Sequence, residues 1–240
     1  MNAKNFAKTI LRSCGYCLAR IPQSRFNALS DTLLTLKSFG YAPKVIIDAG
    51  ANIGEWSRTV HEIFPDSKYH LIEPQPGCQS ALRSLSEKIN ATVHETVLTE
   101  PGKGDVYMIG DGDGNTGAWV CGPNDYEKVI KVPATTLDEI VNISPSDRAL
   151  LKLDLEGHEF IALRGASKCL QAAEVIITET SFYWHEGEPS FLNMANQMNE
   201  YDFQLFDFAS LSSPISHRRL RSGDIVFVSR SSPLLRCFAI

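Results

Sequence analysis

The sequence predicts an α/β fold in which a mostly parallel sheet carries helices on both faces. Short, solidly apolar runs, such as KVIID at 44–48 and AEVIITE at 173–179, alternate with segments of helical spacing. Strands buried on both faces read this way, and parallel neighbours need a helical crossover between them. The last two apolar runs, FQLFDFA and GDIVFVSR, have no helical pattern between them. That pair is expected to be antiparallel.

Residues 1 to about 40 read as helix, with Phe6, Ile10, Leu11, Leu18, Leu29, Leu33, Leu34 and Leu36 at helical spacings. Pro22 divides that helix, and Gly40 and Pro43 end it. KVIID is then a strand, EWSRTVHEIF a helix ending at Pro65, KYHLIEP a strand and CQSALRSLSEKI a helix. ATVHETVL reads as one strand and GDVYMIG as an extra, hairpin-like one. ALLKLDLEG is a strand, HEFIALRGASKCL its helix, AEVIITE a strand and EPSFLNMANQMN a helix. There is no internal repeat and no low-complexity linker. The expectation is a helical extension over 1–40 and one domain over 41–240.

Bulk properties exclude several classes. A net charge of −5 does not favour the polyanionic backbone of nucleic acid. No apolar run approaches the roughly 20 residues of a membrane span. The basic stretch before Ser30 (Lys4, Lys8, Arg12, Arg20, Arg25) gives at most peripheral contact with a membrane surface and does not read as a cleaved leader. Cys14 and Cys17 form a C-x-x-C with no second half, so they read as free thiols on a helix in a reducing, cytoplasmic setting.

The segment VIIDAGANIG, Val45 to Gly54, carries the first chemistry. Ligands of doubly wound sheets bind where strands end at their carboxyl side. Asp48 stands at such an end, followed by Gly50, Asn52 and Gly54. The middle glycine of a dinucleotide fingerprint is absent, and a pyrophosphate would be repelled by Asp48. Glu73 ends the next strand, 19 positions past Gly54, where an acid takes both ribose hydroxyls. An adenosine without phosphates and with a positive centre fits, which is S-adenosylmethionine. Thr96, near the third strand's end, is placed beside the adenine.

IIDAGANIGEWS, LIEPQP, TTLDEI and LLKLDLEGHEFIALRGA together resemble the successive motifs of the FkbM-type family of S-adenosylmethionine-dependent methyltransferases. The resemblance covers about Val45 to Glu179. It implies a Rossmann-like class I methyltransferase fold, a mostly parallel seven-stranded sheet with helices on both faces and an antiparallel last strand. It also implies O-methylation of a hydroxyl on a small molecule, a sugar or glycan, or a secondary metabolite.

Lys152, Asp154 and Glu156 are expected on one side of the fourth main strand's end, with His158 just beyond. Asp154 is assigned to orienting cofactor or substrate. Glu156, His158 or His185 is left as the base that takes the acceptor's proton. Glu156 has the alternative of pairing with Lys152 or capping the next helix, and His158 that of an exposed first-turn residue. A divalent ion on Asp154, Glu156 and His158 is the weighed but unassigned alternative, and no metal site is expected. GDGDGNTG, with Asp111, Asp113 and Asn115, fails the EF-hand spacing and reads as a lid. Phe182, Tyr183 and Trp184 are a candidate stacking wall, and HRRLRSG (217–223) a basic loop. A nicotinamide dehydrogenase and an inactive cofactor-binding module are the competing readings.

Overall fold

The computed structural model describes residues 24–109, 118, 120–123, 129–183, 190–213 and 219–238. Expectations for the first 23 residues, for Cys14 and Cys17, for the GDGDGNTG loop, and for Trp184, His185 and His217 lie outside these.

Among the described residues, nine strands share one sheet. Seven of them run in the order β4 (Ala91–His94), β3 (Lys68–Ile72), β2 (Val45–Ala49), β10 (Ala149–Leu153), β11 (Ala173–Ser181), β14 (Ser222–Ser229) and β12 (Phe203–Phe208). The pairings from β4 to β11 are parallel, whereas β14 runs antiparallel to both β11 and β12. The antiparallel terminal pair follows the sequence expectation. The remaining two strands are short: β13 (Ser210–Ser212) extends the β12 edge along β14, and β1 (Ser24–Asn27) pairs with β13. The sequence reads Ser24–Asn27 as helix, and the structure corrects this to a strand. The chain at that point takes an antiparallel backbone partner instead of closing its own hydrogen bonds.

Alternation along each strand divides the apolar residues between two cores. Ile46, Leu150, Val175, Ile177 and Val226 face α1 (Leu29–Ser38), α2 (Glu55–His61) and α3 (Pro76–Ser86). Ile47, Leu151, Ile176, Ile225 and Phe227 face α4 (Leu137–Ile140), α5 (Glu159–Arg164), α6 (Ser167–Ala172) and α7 (Phe191–Glu200). The sequence read α5 and α6 as one helix. The chain breaks at Gly165, whose carbonyl accepts the N–H of Asp138 from the start of α4.

ATVHETVL also splits. After His94 the chain leaves the main sheet, and β5 (Val97–Leu98) pairs with β9 (Ala134–Thr135). Thr96 sits at the corner, its hydroxyl donating to the carbonyl of Pro133 at 3.0 Å. Between β5 and β9 lies a separate antiparallel sheet of β7 (Val120–Cys121), β6 (Val106–Ile109) and β8 (Val129–Val132). No helix among the described residues is long and apolar enough to cross a membrane.

Leu33 and Leu36 of α1 are fully buried against the same core as β2, while Leu34 is exposed. Truncating Leu33 to Ala should therefore lower the unfolding free energy by about 2–5 kcal/mol. Urea denaturation measures it, and a loss under about 0.5 kcal/mol would mean that α1 lies outside the sheet's core.

Candidate cofactor and active site

The carboxyl ends of β2, β3, β10 and β11 open into one cavity. Gly50, Asn52, Ile72 and Glu73 line it from the first two strands, Asp154, Leu155, Glu156 and His158 from the turn after β10, and Glu179 from β11. Thr96, Val97, Leu98, Met108, Ala118 and Val120 close the far end, so the small sheet contributes an apolar wall.

The turn after β2 is fixed by its backbone. Gly50 has φ of +80° and Asn52 of +47°. A Cβ on Gly50 would fall 1.9 Å from the carbonyl oxygen of Asp154, so the turn needs glycine because β10's exit crosses it. The N–H groups of Gly50 and Ala51 both donate to the carbonyl of Ile72 at 3.0 Å. Gly54 does not line the cavity; it is buried, and a Cβ there would fall 2.5 Å from Leu85 of α3. Its glycine serves helix packing.

Asp48 also stands behind the cavity, not in it. Its side chain is fully buried, with Oδ1 3.1 Å from Lys152 Nζ and Oδ2 accepting the Ser57 hydroxyl at 2.6 Å. Lys152 also pairs with Asp154 at 3.2 Å and donates to the Gly50 carbonyl at 2.8 Å. Burial alone pulls the ammonium down; Asp48 and Asp154 outweigh it and hold it above the usual lysine range. For Asp48, burial pushes the carboxyl up against the opposing pull of Lys152 and Ser57. This trio ties together β2, its glycine turn and β10.

Glu73 is 4% exposed and lines the cavity. Its Oε2 accepts the N–H of Asn52 and its Oε1 that of Gln75, each at 2.9 Å. The Gln79 side chain braces this turn by donating to the carbonyls of Glu73 and Gln75. Burial raises the Glu73 carboxyl, while the Gln75 and Asn52 amides oppose the rise. Each oxygen keeps lone-pair capacity for a further donor, the geometry that holds two neighbouring hydroxyls.

The turn after β10 brings together the three residues expected to act on substrate. Asp154 is half-exposed at the mouth and held by Lys152. Glu156, exposed, occupies the left-handed region at φ of +51°. It does not cap α5. Glu159, the first residue of α5, instead braces the turn before the helix, accepting the N–H groups of Leu155 at 2.8 Å and Gly157 at 3.3 Å. His158 precedes α5, half-buried with no hydrogen bond to Nε2 among the described residues, and burial lowers its pKa. Among the described residues, no group of three or more His, Cys, Asp and Glu is gathered to hold a metal ion.

Glu179 was not singled out as a site residue from the sequence. It lies near the carboxyl end of β11, lining the cavity, its Oε1 accepting the Ser222 hydroxyl at 2.9 Å. Burial first, then Asp154, raises its pKa to about 8. Its only sequence signal was an acid closing an apolar strand, as at Asp48 and Glu73.

The sequence profile of the Methyltransferase FkbM domain matches residues 48–205. The chain belongs to the FkbM methyltransferase family. The methyl donor of this family is S-adenosylmethionine. The cavity suits it: a buried carboxylate for the ribose, apolar walls for the adenine, and carboxylates at the far end for a positive centre. The FkbM methyltransferase structure from Methylobacillus flagellatus KT is 19% identical with a TM-score of 0.50, covering 77% of this chain and 43% of that one. This chain therefore corresponds to less than half of that protein. An rRNA methylase from Streptococcus thermophilus is 12% identical at a TM-score of 0.46, covering 88% and 99% of the two chains. LepI in complex with SAM is 13% identical at 0.47, covering 96% and 53%. A comparison with curated proteins finds no match.

Asp48→Asn keeps the shape of the buried acid but removes its charge. It should cost about 3 kcal/mol, because Lys152 then stays buried with only the half-exposed Asp154. Thermal and urea unfolding measure this. Stability within about 0.5 kcal/mol of wild type would show that the trio does not hold the turn.

Proposed function

We propose that this FkbM-family methyltransferase transfers its methyl group to a hydroxyl oxygen of a small molecule, a sugar or glycan, or a secondary metabolite. The observation that carries this reading is the run of carboxylates beyond the cofactor end of the cavity. A hydroxyl needs a proton acceptor as its oxygen attacks, and Asp154, Glu156 and Glu179 line the cavity there, with His158 beside them. A positioned base contributes about 10²- to 10⁴-fold, and alignment of the two reactants several kcal/mol more.

The chain's own residues divide the work. Glu73 takes the two ribose hydroxyls on the oxygens already oriented by Asn52 and Gln75. Asn52 and Gly50 present the turn against which the donor rests, and Thr96 borders the adenine with Val97 and Leu98. Asp154, fixed by Lys152, favours a positive charge beside it. The bound donor supplies an electrophilic methyl group. Phe182, Tyr183, Phe191 and Phe208 line a second cavity with Arg219 stacked on Tyr183 at 4.1 Å, a surface suited to a ring-bearing acceptor. The negative charge of the chain favours an acceptor other than nucleic acid, and the thiols Cys78 and Cys169, not joined in a disulfide, agree with a cytoplasmic setting.

Titration calorimetry with S-adenosylmethionine and S-adenosylhomocysteine tests the site, and mass spectrometry of products from a panel of methyl glycosides and hydroxylated phenols tests the acceptor. Glu73→Gln preserves the hydrogen bond to one amide but removes the charge, and should weaken binding of S-adenosylhomocysteine about 10- to 100-fold. Unchanged affinity in that variant would remove Glu73 from the ribose site. Methyl groups found on amines but never on hydroxyls would overturn the O-methylation reading.

A further inference from the structure

Glu179 has a position that the cofactor site alone does not use. In the parallel pairing of β10 with β11, Lys152 lies opposite Ile177, so the next same-face positions, Asp154 and Glu179, stand level at the strand ends. One strand further on, Asp224 of β14 is the direct partner of Glu179. The charged groups facing Glu179 are therefore Asp154 and Glu156 from the turn after β10 and Asp224 from β14, while the buried Lys152 pairs with Asp154. Lys152 is already shared by Asp48 and Asp154. Glu179 makes no ion pair among the described residues; its described partner is the Ser222 hydroxyl on Oε1.

The sheet order fixes what lies next to it. Thr96 and Glu73 mark the adenosine end of the cavity, Asp154 the middle, and Glu179 the opposite end. An acceptor oxygen approaching in line with the transferred methyl must come from that opposite end. Asp154 is committed to Lys152, and Glu156 lies exposed on the turn. Glu179 is the half-buried acid with an oxygen, Oε2, left to face the acceptor.

We propose, on the O-methyltransferase reading above, that Glu179 is the proton acceptor for the acceptor's hydroxyl, and that it is armed by the positive charge of the methyl donor. In the empty cavity Glu179 keeps a proton because it is half-buried among three acids. A sulfonium placed beside Asp154 replaces that proton as the compensating positive charge. The ionised Oε2 then accepts the hydrogen bond of the acceptor. As the acceptor oxygen bonds to the methyl carbon, the carbon–sulfur bond breaks with its pair left on sulfur. The O–H proton moves to Oε2, from which it leaves to water. The device keeps the base neutral until a methyl donor is in place.

With the Glu179 pKa raised to about 8, about nine molecules in ten carry the proton at pH 7. An opposite charge within about 4–6 Å lowers a carboxyl pKa by roughly 1–3, which at pH 7 releases about 0.4 to 0.9 of that proton. S-adenosylmethionine and S-adenosylhomocysteine share every other charged group, so their difference isolates the sulfonium. Calorimetry of both at pH 7, in phosphate and in Tris, reads the protons released on binding. The expected result is a release of about half a proton or more for S-adenosylmethionine over S-adenosylhomocysteine. Glu179→Gln should abolish the difference, whereas Asp224→Asn should keep it. Should Glu179→Gln fail to fold, the side-chain carboxyl ¹³C resonance of Glu179 in the wild-type protein reads the same exchange between the two complexes. Binding of both molecules with equal proton release, or a difference that survives in Glu179→Gln, would overturn the inference and leave the methyltransferase reading intact. Failure of the wild-type protein to bind either molecule would overturn both.

Discussion

The structure depends on one buried charge cluster. Lys152 sits between Asp48 and Asp154 and reaches the carbonyl of Gly50. The cost of burying an ammonium is offset only when its partners are close and its donors are used, and here the two carboxylates and the carbonyl take them. Asp48 belongs to β2, Asp154 follows β10, and Gly50 opens the turn between β2 and α2. The contacts of one lysine thus fix the distance between the two central strands at the end where the cavity opens. They also explain the glycine: the turn is pulled so close under the exit of β10 that no side chain fits between.

From that anchor the site follows by strand periodicity. Asp48, Lys152, Glu179 and Asp224 share the face covered by α1, α2 and α3, at successive strands of the sheet. Glu73 ends β3 on the other side of β2. A parallel sheet aligns its carboxyl ends by construction, so acids at these positions gather without any residue being near another in sequence. The parts differ in their surroundings. Asp48 is sealed and holds the lysine, whereas Glu73 is sealed except toward the cavity. Asp154 is half-open, and Glu179 has a hydroxyl but no cation among its described partners.

Much of this was legible in the sequence. Uniformly apolar strands and helical spacings gave the sheet and its layers, because burial on both faces leaves no polar alternation. Asp48, Gly50, Asn52 and Glu73 could be recognised as a set because the turn's dihedral demands and the spacing to the next strand end are local. The functions of individual members were less legible. Lys152 lies over 100 positions from Asp48, so no local pattern shows that Asp48 faces a lysine and not the ligand. Gly54 read as a ligand glycine because spacing does not reveal that Leu85 packs on it. Glu159 looked like part of a motif, and only the fold shows its carboxylate holding the turn that carries Glu156 and His158. Strands of two or three residues such as β7 and β13 have too few positions to show a period, and the acidic neighbours of Glu179 come from other strands, where no local pattern reveals them.

On this arrangement one row of strand ends holds the methyl donor, with adenosine toward β4 and the reacting end toward β11. A crystal structure of the protein with S-adenosylhomocysteine tests it most directly. The ribose hydroxyls are expected on Glu73, the adenine between Val97 and Met108 beside Thr96, and the sulfur nearer Asp154 and Glu179 than any other carboxylate. A bound molecule that leaves Glu73 untouched, or that lies with its sulfur toward Thr96, would contradict it.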